Sequence, residues 1–235
     1  MSTLIIFNKQ KKSGVSYLTN QNVIRKFVFD SKKYKLIKNE IKGFEWYQSR
    51  YQNVYKSSEK IIRKEREYID FPIIKGRQKK FWDYLYKNYD ASEAIVNHYK
   101  KIWPNKRMTP FHGDLTISNV IFKKDYHPFI VDWENFSNKK MLWGFDLSYF
   151  LISTVASPSI FHKDDEIKNT ELLLLEKLWK KAFKNKNFKY LNKPVNYLKS
   201  KFGKTFIFRN YFDYYPNLLS KKKIDQLNEA LKLKI

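Results

Sequence analysis

The chain contains no cysteine among its 235 residues, and glycine (6) and proline (7) are sparse. Without cysteine, disulfide frameworks and thiolate-bound metal sites are excluded, and a reducing compartment is favoured. No internal repeat or low-complexity linker is visible. No apolar run approaches the roughly 18 residues that a membrane-spanning helix needs. Residues 1–10 lack the basic region and cleavage site of a secretory signal, so we expect a cytoplasmic location.

One acidic stretch lies in a strongly basic chain of net charge +24. Residues 112–150 hold five acidic and four basic side chains, whereas basic residues outnumber acidic ones more than twofold in each flanking stretch. The stretch contains Asp114, Asp132, Glu134 and Asp146, and Mg²⁺ prefers such oxygen ligands. The basic remainder fits either a polyanionic substrate or a lysine-rich solvated surface.

The first 70 residues have the pattern of a small β-rich lobe with one helix. Apolar and β-branched runs predict strands over residues 3–7, 15–18 and 23–29, and apolar spacing of three and four predicts a helix over 33–48. An extended stretch follows over 60–69. Asp70-Phe71-Pro72 is expected to end regular structure, so we place a domain boundary between residues 1–70 and 71–235.

The remainder of the chain has mainly helical patterns, interrupted by two short apolar runs. Helices are predicted over residues 81–89, 92–103, 171–184, 204–215 and 224–234. The runs at 120–122 and 129–131 are typical of a β-hairpin. The sequence therefore predicts an α+β fold. Asp114 and Asn119 precede the first run and Asp132 follows the second, so pairing of the two strands would bring three oxygen-bearing side chains together.

The spacing of these residues matches the catalytic segment of protein kinases, in which an Asp is followed by an Asn five residues later and by a second Asp. Here the motif is His112-Gly113-Asp114 with Asn119, and then Asp132-Trp133-Glu134. With glycine and tryptophan in place of the arginine and phenylalanine of protein kinases, the motif resembles the aminoglycoside phosphotransferase and choline kinase family. The resemblance implies a bilobal protein-kinase-like fold, ATP and Mg²⁺ as cofactors, and phosphoryl transfer to a small-molecule hydroxyl.

The resemblance also implies roles for the acidic stretch. Asp114 would orient the attacking hydroxyl or accept its proton, while Asn119 and Asp132 would hold Mg²⁺. Asp146, also carried over from the family, would brace the catalytic loop by accepting backbone hydrogen bonds.

Two neighbouring residues, His112 and Glu134, are given less specific roles. We interpret His112 as structural support of the loop rather than as a base. Glu134 could contact metal or substrate, or only cap the following turn.

A lysine and a glutamate in the first lobe are predicted to pair. Lys26 shares the face of its strand with apolar residues, and Glu40 lies on the apolar stripe of the predicted helix, where a lone carboxylate would be costly. Pairing the two, with Glu45 as the fallback partner, is also what the resemblance implies for a phosphate-binding lysine. The alternative is that each lies at a solvated edge.

Two further nucleotide contacts are weaker hypotheses. Ser13, Gly14 and Ser16 form a one-glycine candidate for the phosphate-binding turn. Tyr68 and Ile69 look like the hinge strand whose backbone would bind adenine, or they are an ordinary strand end.

Three functions compete. The first is a kinase acting on a sugar, an amino alcohol or a glycan precursor. An amino alcohol would call for an aromatic cage or carboxylates. Candidates for the cage, although aromatic residues at helical spacing more often form core, are Trp133, Trp143, Tyr149, Tyr211, Tyr214 and Tyr215.

The second is a kinase of an anionic glycan or lipid-linked sugar at the cytoplasmic membrane face, where basic residues would make peripheral contact. The third is a basic binding module without activity. No specific nucleic-acid motif is present.

Overall fold

The computed structural model describes residues 5–8, 13–18, 23–55, 60–123, 127–184, 186, 191, 194–202 and 220–232. Within these ranges, helices combine with small antiparallel sheets. The predicted α+β class is therefore confirmed. The division into lobes at residue 70 stays a prediction.

A five-stranded antiparallel sheet is built from the first part of the chain. Its strands are β1 (Ile5–Asn8), β2 (Ser13–Leu18), β3 (Val23–Val28), β4 (Arg63–Lys64) and β5 (Tyr68–Pro72). They are arranged in the order β1-β2-β3-β5-β4. The first three lie close to where β-branched and aromatic runs predict them.

The expectation that residues 70–72 end regular structure is wrong, because they form the second half of β5. Asp70 is buried there because the guanidinium of Arg25 on β3 binds both of its carboxylate oxygens, at 2.7 and 2.8 Å. Pro72 pairs with Val23 of β3 but lies beyond the reach of β4, so it is at an edge of the sheet, where a missing N–H group is tolerated. Strand β5 thus crosses the predicted domain boundary.

Helix α1 (Tyr34–Tyr55) packs against this sheet. Its buried stripe includes Ile37, Glu40, Phe44 and Tyr47, at the three- and four-residue spacing of one helix face. The helix extends seven residues beyond the predicted end at residue 48. Tyr51, buried, and Tyr55 continue the same stripe, which explains the extension.

Two smaller sheets follow. Strands β6 (Arg77–Gln78), β8 (Val120–Phe122) and β9 (Pro128–Ile130) form one, with β8 between the others. Strands β7 (Met108–Phe111) and β10 (Ser137–Leu142) form the other. The pairing of β8 with β9 was predicted; β6, β7 and β10 were not.

Five helices complete the described part of the second half. They are α2 (Leu85–Ile102), α3 (Phe145–Phe161), α4 (Asn169–Phe183), α5 (Pro194–Phe202) and α6 (Lys221–Ala230). Helices α3 and α5 were not predicted. The helix predicted over 204–215 lies outside the described residues. Among the helices that are described, none is both long and apolar enough to cross a bilayer.

The two helices predicted over 81–89 and 92–103 are a single helix, α2. It begins at Leu85 because the Glu171 carboxylate on α4 accepts hydrogen bonds from the backbone N–H groups of Leu85 and Tyr86, at 2.6 and 3.2 Å. A carboxylate at this position satisfies donors that lack a partner within the helix. This cap comes from a residue 86 positions away, so local sequence does not indicate it.

Candidate active site

The loop containing His112, Gly113 and Asp114 is held by the start of α3. Asp146, buried in the first turn of that helix, accepts hydrogen bonds from the backbone N–H groups of His112 and Gly113 at 2.8 and 3.0 Å. Burial raises the pKa of Asp146 to about 7, against the opposing effect of these two donors. The geometry therefore supports the bracing role expected for Asp146.

Gly113 occupies a conformation that other residues adopt only with strain. Its φ is +87°, and a Cβ there would lie 2.7 Å from the carbonyl oxygen of Asn135. Both the backbone angle and the close approach require glycine. The glycine between His112 and Asp114 is thus explained by local geometry.

His112 is a neutral imidazole with a defined tautomer. Its Nε2 lies 3.0 Å from the carbonyl oxygen of Val131, which can only accept, so Nε2 carries the hydrogen. The backbone N–H of Asp114 donates to Nδ1 at 3.2 Å. Complete burial lowers the pKa of His112 to about 4. Both ring nitrogens are engaged in hydrogen bonds, which supports the prediction that His112 is a structural part of the loop rather than a base.

Asp114 and Asn119 lie side by side. The Asn119 Nδ2 donates to the backbone carbonyl of Asp114 at 2.9 Å and approaches its Oδ2 at 3.4 Å. Because a carbonyl only accepts, the amide nitrogen faces Asp114 and the amide oxygen points away. The Tyr149 hydroxyl lies 3.5 Å from the other carboxylate oxygen of Asp114. Asp114 itself is only partly buried.

The β8–β9 pairing joins this loop to Asp132. The backbone N–H of Val131 donates to the Asn119 carbonyl at 3.0 Å, one residue before Asp132. Asp132 has a φ of +68°, a left-handed conformation that costs most non-glycine residues about 1–3 kcal/mol. Its carboxylate contacts the Nζ of Lys26 from the amino-terminal sheet. The fold thus holds Asp132 in a strained turn between the three-stranded sheet, which contains β9, and the five-stranded sheet, which contains Lys26.

Lys26 bridges two carboxylates, Glu40 and Asp132. Its Nζ lies 2.8 Å from Glu40 Oε2 and also contacts Asp132 Oδ1. Burial alone lowers the pKa of Lys26, but the charges of Asp132, Glu40 and Glu134 outweigh it and raise the pKa above its ordinary value. The lysine is therefore fully charged. Glu45, the fallback partner, instead pairs with Lys64 at the surface.

Glu40 is one of the most buried charged side chains in the described chain, at 3% exposure of its side chain. Burial raises its pKa, while the Lys26 charge and hydrogen bond lower it. A buried carboxylate without its ammonium partner would be destabilising. The structure therefore brings together the lysine and glutamate that the sequence predicts as a pair.

Helix α1 approaches the Asp132 segment unusually closely. A Cβ on Gly43 would lie 2.7 Å from the Cβ atoms of Trp133 and Phe136. The Asn39 side chain donates to the backbone carbonyl of Glu134 at 3.1 Å. These contacts hold helix α1, which carries Glu40, against the segment that follows Asp132. The role of the Glu134 side chain stays open.

The donor set fits a magnesium ion that is completed by phosphate oxygens. Among the described residues, no three His, Cys, Asp or Glu side chains form a metal cluster. Asn119 and Asp132 supply oxygen donors, and the Asp132 side chain is 33% exposed and so accessible. Mg²⁺ is commonly held by one or two protein oxygens together with substrate phosphates and water. Both residues remain predictions as metal ligands.

The strand pairing counts against the predicted phosphate-binding turn, which stays a prediction. Ser13, Gly14 and Ser16 lie within β2, which pairs with β1 on one side and β3 on the other. A strand with both edges paired has few backbone N–H groups left to cradle a phosphate. In the same register Val15 lies opposite Lys26, so the segment is adjacent to the lysine.

The predicted adenine-binding hinge meets the same objection. Tyr68 and Ile69 lie in β5 between β3 and β4. The Tyr68 carbonyl accepts from the N–H of Glu65 at 2.9 Å, and Ile69 is opposite Lys26 in β3 and Lys64 in β4. Backbone groups engaged within a sheet are unavailable to adenine. This pairing argues against both residues as adenine contacts.

The aromatic cage suggested for a cationic substrate does not form from the described candidates. Trp133, Trp143 and Tyr149 are at most 3% exposed and belong to the core. Tyr211, Tyr214 and Tyr215 lie outside the described residues.

One supporting network was missed from the sequence. The buried Tyr47 hydroxyl accepts from the N–H of Ile130 at 3.1 Å and lies 2.9 Å from His98 Nε2. Tyr55 contacts the other ring nitrogen of His98 at 3.0 Å. Burial lowers the pKa of His98 to about 3, so this histidine is neutral. At helical spacing Tyr47 looks like any core tyrosine, and only the fold places it behind β9.

No protein-family model matches the chain, and no curated protein matches its sequence. Solved structures do resemble its fold. A choline kinase, LicA from Streptococcus pneumoniae, is 11% identical with a TM-score of 0.46, covering 98% of this chain and 93% of its own. The ADP-bound aminoglycoside phosphotransferase APH(2'')-Ib is 9% identical with a TM-score of 0.46, covering 97% and 94%.

A third structure, the gentamicin complex of APH(2'')-IIa, is 10% identical with a TM-score of 0.46, covering 96% of this chain and 93% of its own. Because the TM-scores are below 0.5, the likeness carries no weight for the chemistry, which rests on the geometry of the site.

Proposed function

We propose that the chain is an ATP- and Mg²⁺-dependent phosphotransferase that moves the γ-phosphate to a hydroxyl of a small molecule such as a sugar, an amino alcohol or a glycan precursor. The observation that carries the proposal is the bridging of Glu40 and Asp132 by Lys26. It places the charged Lys26 of the five-stranded sheet next to the accessible carboxylate of Asp132, which follows β9 of the three-stranded sheet. Phosphoryl transfer requires mainly such positioning and charge neutralisation.

Each residue of the site has a part in the proposed reaction. Asp114, partly exposed, orients the acceptor hydroxyl and takes up its proton as the oxygen bonds to the γ-phosphorus and the bond to the ADP leaving group breaks. Lys26 binds phosphate oxygens, and Glu40 holds it in place. Asn119 and Asp132 would hold Mg²⁺, which would neutralise charge on the phosphates.

The loop geometry lets Asp114 act without a histidine base. Neutral His112 and the Asp146 carboxylate fix the backbone on either side of Gly113 through four hydrogen bonds. Their task is to hold Asp114 at a constant distance from the acceptor, since small displacements slow transfer strongly.

An anionic acceptor is favoured over a polycationic one by the charge beside the loop. Lys75, Arg77, Lys79 and Lys80 are all exposed, and β6 within this segment pairs with β8. A polycationic substrate would require an acidic approach instead. The complete set of Lys26, Glu40, Asp114, Asn119 and Asp132 argues against the inactive binding module. A cytoplasmic location is part of the proposal.

A screen of hydroxyl acceptors for Mg²⁺-dependent ADP release tests the proposal. We expect release with one class of sugar, amino alcohol or glycan precursor, and its loss in Asp114→Asn. Asp90→Asn, an equivalent change at an exposed position on α2, is the matched control and should turn over normally. Wild-type turnover by Asp114→Asn would contradict the assignment of the acceptor-orienting carboxylate.

A further inference from the structure

A basic segment runs from the catalytic loop to the surface of the second half. Between residues 75 and 87 the chain has five basic side chains and one acidic one. Lys75, Arg77, Lys79 and Lys80 are exposed. The Gln78 side chain donates to the Ser118 carbonyl at 3.1 Å, next to Asn119. The segment is therefore attached directly to the candidate active site.

Exposed aromatic rings continue this segment. Trp82 stacks on Phe161 with ring centroids 5.3 Å apart and an angle of 20°. Phe161, the last residue of α3, is 54% exposed, and Tyr86 is 55% exposed. Tyr84 stacks on His162 at 4.8 Å. Rings that pack on one another while remaining this exposed form an apolar surface rather than scattered apolar residues.

Lysines surround the rings. The ammonium of Lys80 lies 5.5 Å from the Trp82 ring centroid, and that of Lys168 lies 4.0 Å from the Tyr84 ring. Lys87 lies 5.7 Å from the Tyr86 ring. We call residues 75–87 together with Phe161, His162 and Lys168 the basic–aromatic surface.

Acidic groups near this surface are few and partly engaged. Asp164 accepts a hydrogen bond from the Tyr84 hydroxyl at 2.9 Å. Asp83 is the one acidic residue within the 75–87 segment, and exposed Asp165 follows Asp164. Farther along, Glu166 is paired with Lys222 of α6. The surface therefore keeps a net positive charge.

We propose that the basic–aromatic surface binds a bilayer containing anionic phospholipid. Lysines close to such a membrane each contribute about 1 kcal/mol through its negative surface potential. Aromatic side chains insert at the boundary between headgroups and acyl chains. The lysines alone suffice for a soluble polyanion, whereas the exposed rings of Phe161 and Tyr86 gain most from burial in an apolar layer.

Binding through the basic–aromatic surface would place the catalytic loop near the membrane, because β6 belongs to this surface and pairs with β8. An acceptor carried on a lipid would then be brought to Asp114 without a long reach. The binding itself needs no nucleotide, so its test does not depend on the proposed phosphotransferase activity.

Co-sedimentation of the full chain with vesicles tests the proposal. Vesicles of phosphatidylcholine alone are compared with vesicles that also contain phosphatidylglycerol, at low and high salt and without nucleotide. We expect retention on the anionic vesicles only, and less at high salt because screening shortens the range of the attraction.

The Lys80→Glu/Phe161→Gln double variant changes one charge and one ring, both exposed. It should lower retention about tenfold or more, given the size of each lysine contribution. Lys177→Glu/Leu173→Gln on α4 is the matched control, because Leu173 is 58% exposed and Lys177 is exposed one turn away. It should bind as the wild type. Lys79→Glu/Lys87→Glu provides a second test that leaves the rings intact.

The proposal would be overturned if neutral and anionic vesicles retained the wild type equally. It would also be overturned if the α4 control lost as much retention as the surface variants, or if both surface variants were retained as well as the wild type. Stronger binding to a soluble anionic polysaccharide than to the vesicles would overturn the proposal as well, since it would assign the lysines to a different partner. Circular dichroism of each variant shows that a loss of retention is not a loss of fold.

Discussion

Replacing Lys26 by methionine isolates the electrostatic interaction on which the site depends. The substitution keeps an unbranched side chain but leaves the Glu40 carboxylate, 3% exposed, without its ammonium partner. Removing one member of a buried ion pair costs about 3–5 kcal/mol. Asp132, at 33% exposure, regains water and adds less to the cost. We therefore expect a loss of several kcal/mol in the free energy of unfolding.

The cost should depend on Glu40 rather than on packing. In the Lys26→Met/Glu40→Gln double variant no charge is left buried at this position, so most of the lost stability should return. The coupling between the two substitutions, measured by a double-mutant cycle in urea, should reach about 2–3 kcal/mol, the upper end of the usual range. Lys64→Met is the matched control, because its partner Glu45 is about half exposed; exposed pairs contribute at most about 1 kcal/mol.

The pH dependence gives an independent check. Burial raises the pKa of Glu40 and Lys26 lowers it, so in Lys26→Met the pKa rises further. A carboxyl whose pKa is higher in the folded state than in the unfolded state, where it is near 4.5, stabilises the fold at low pH. This stabilisation is complete below the unfolded-state pKa and is lost as the pH rises through the folded-state pKa. The difference in the free energy of unfolding between wild type and Lys26→Met should therefore become smaller as the pH falls from mildly alkaline values toward pH 5. A difference in the free energy of unfolding that does not change with pH would refute the reasoning. So would a Lys26→Met/Glu40→Gln variant as unstable as Lys26→Met.

Three further substitutions test the supports of the site. Gly113→Ala should cost about 1–3 kcal/mol and most turnover, because its φ is +87° and the new Cβ meets the Asn135 carbonyl; unfolding and ADP release at wild-type values would contradict this. Asp146→Asn should lose about 1–3 kcal/mol, since an amide has one acceptor oxygen for the two N–H donors of the loop, and kcat should fall more than KM changes. Tyr47→Phe should cost about 1–3 kcal/mol in urea unfolding, because the buried N–H of Ile130 and ring of His98 both lose a partner; a neutral effect would show that water replaces the hydroxyl.

The parts of the fold predicted from sequence are those that local pattern determines. The strands near residues 15–18 and 23–29 and helix α1 follow from short-range spacing of apolar residues. The β8–β9 pairing follows from two short apolar runs with Asp132 directly after them. Lys26 and Glu40 are predictable because each is a charge placed on an apolar face, which requires a partner.

The parts that were missed depend on distant contacts. Helix α2 begins at Leu85 rather than at residue 81 because Glu171 of α4 caps it there, and β5 continues through Asp70 because Arg25 pairs with that carboxylate. Strands β7 and β10 are stabilised by each other across the chain. The phosphate turn and the hinge stay predictions, and the observation that counts against them, the pairing of β2 and β5 on both sides, is not visible in local composition.

Calorimetric titration with a non-hydrolysable ATP analogue, with and without Mg²⁺, tests the central claim most directly. The account predicts that wild type and Asp114→Asn bind the nucleotide with similar affinity and that Mg²⁺ strengthens both. Asp132→Ala should lose the Mg²⁺ effect, because Asn119 alone remains as a ligand. Mg²⁺-dependent binding that is unchanged in Asp132→Ala, or no nucleotide binding by the wild type, would contradict it.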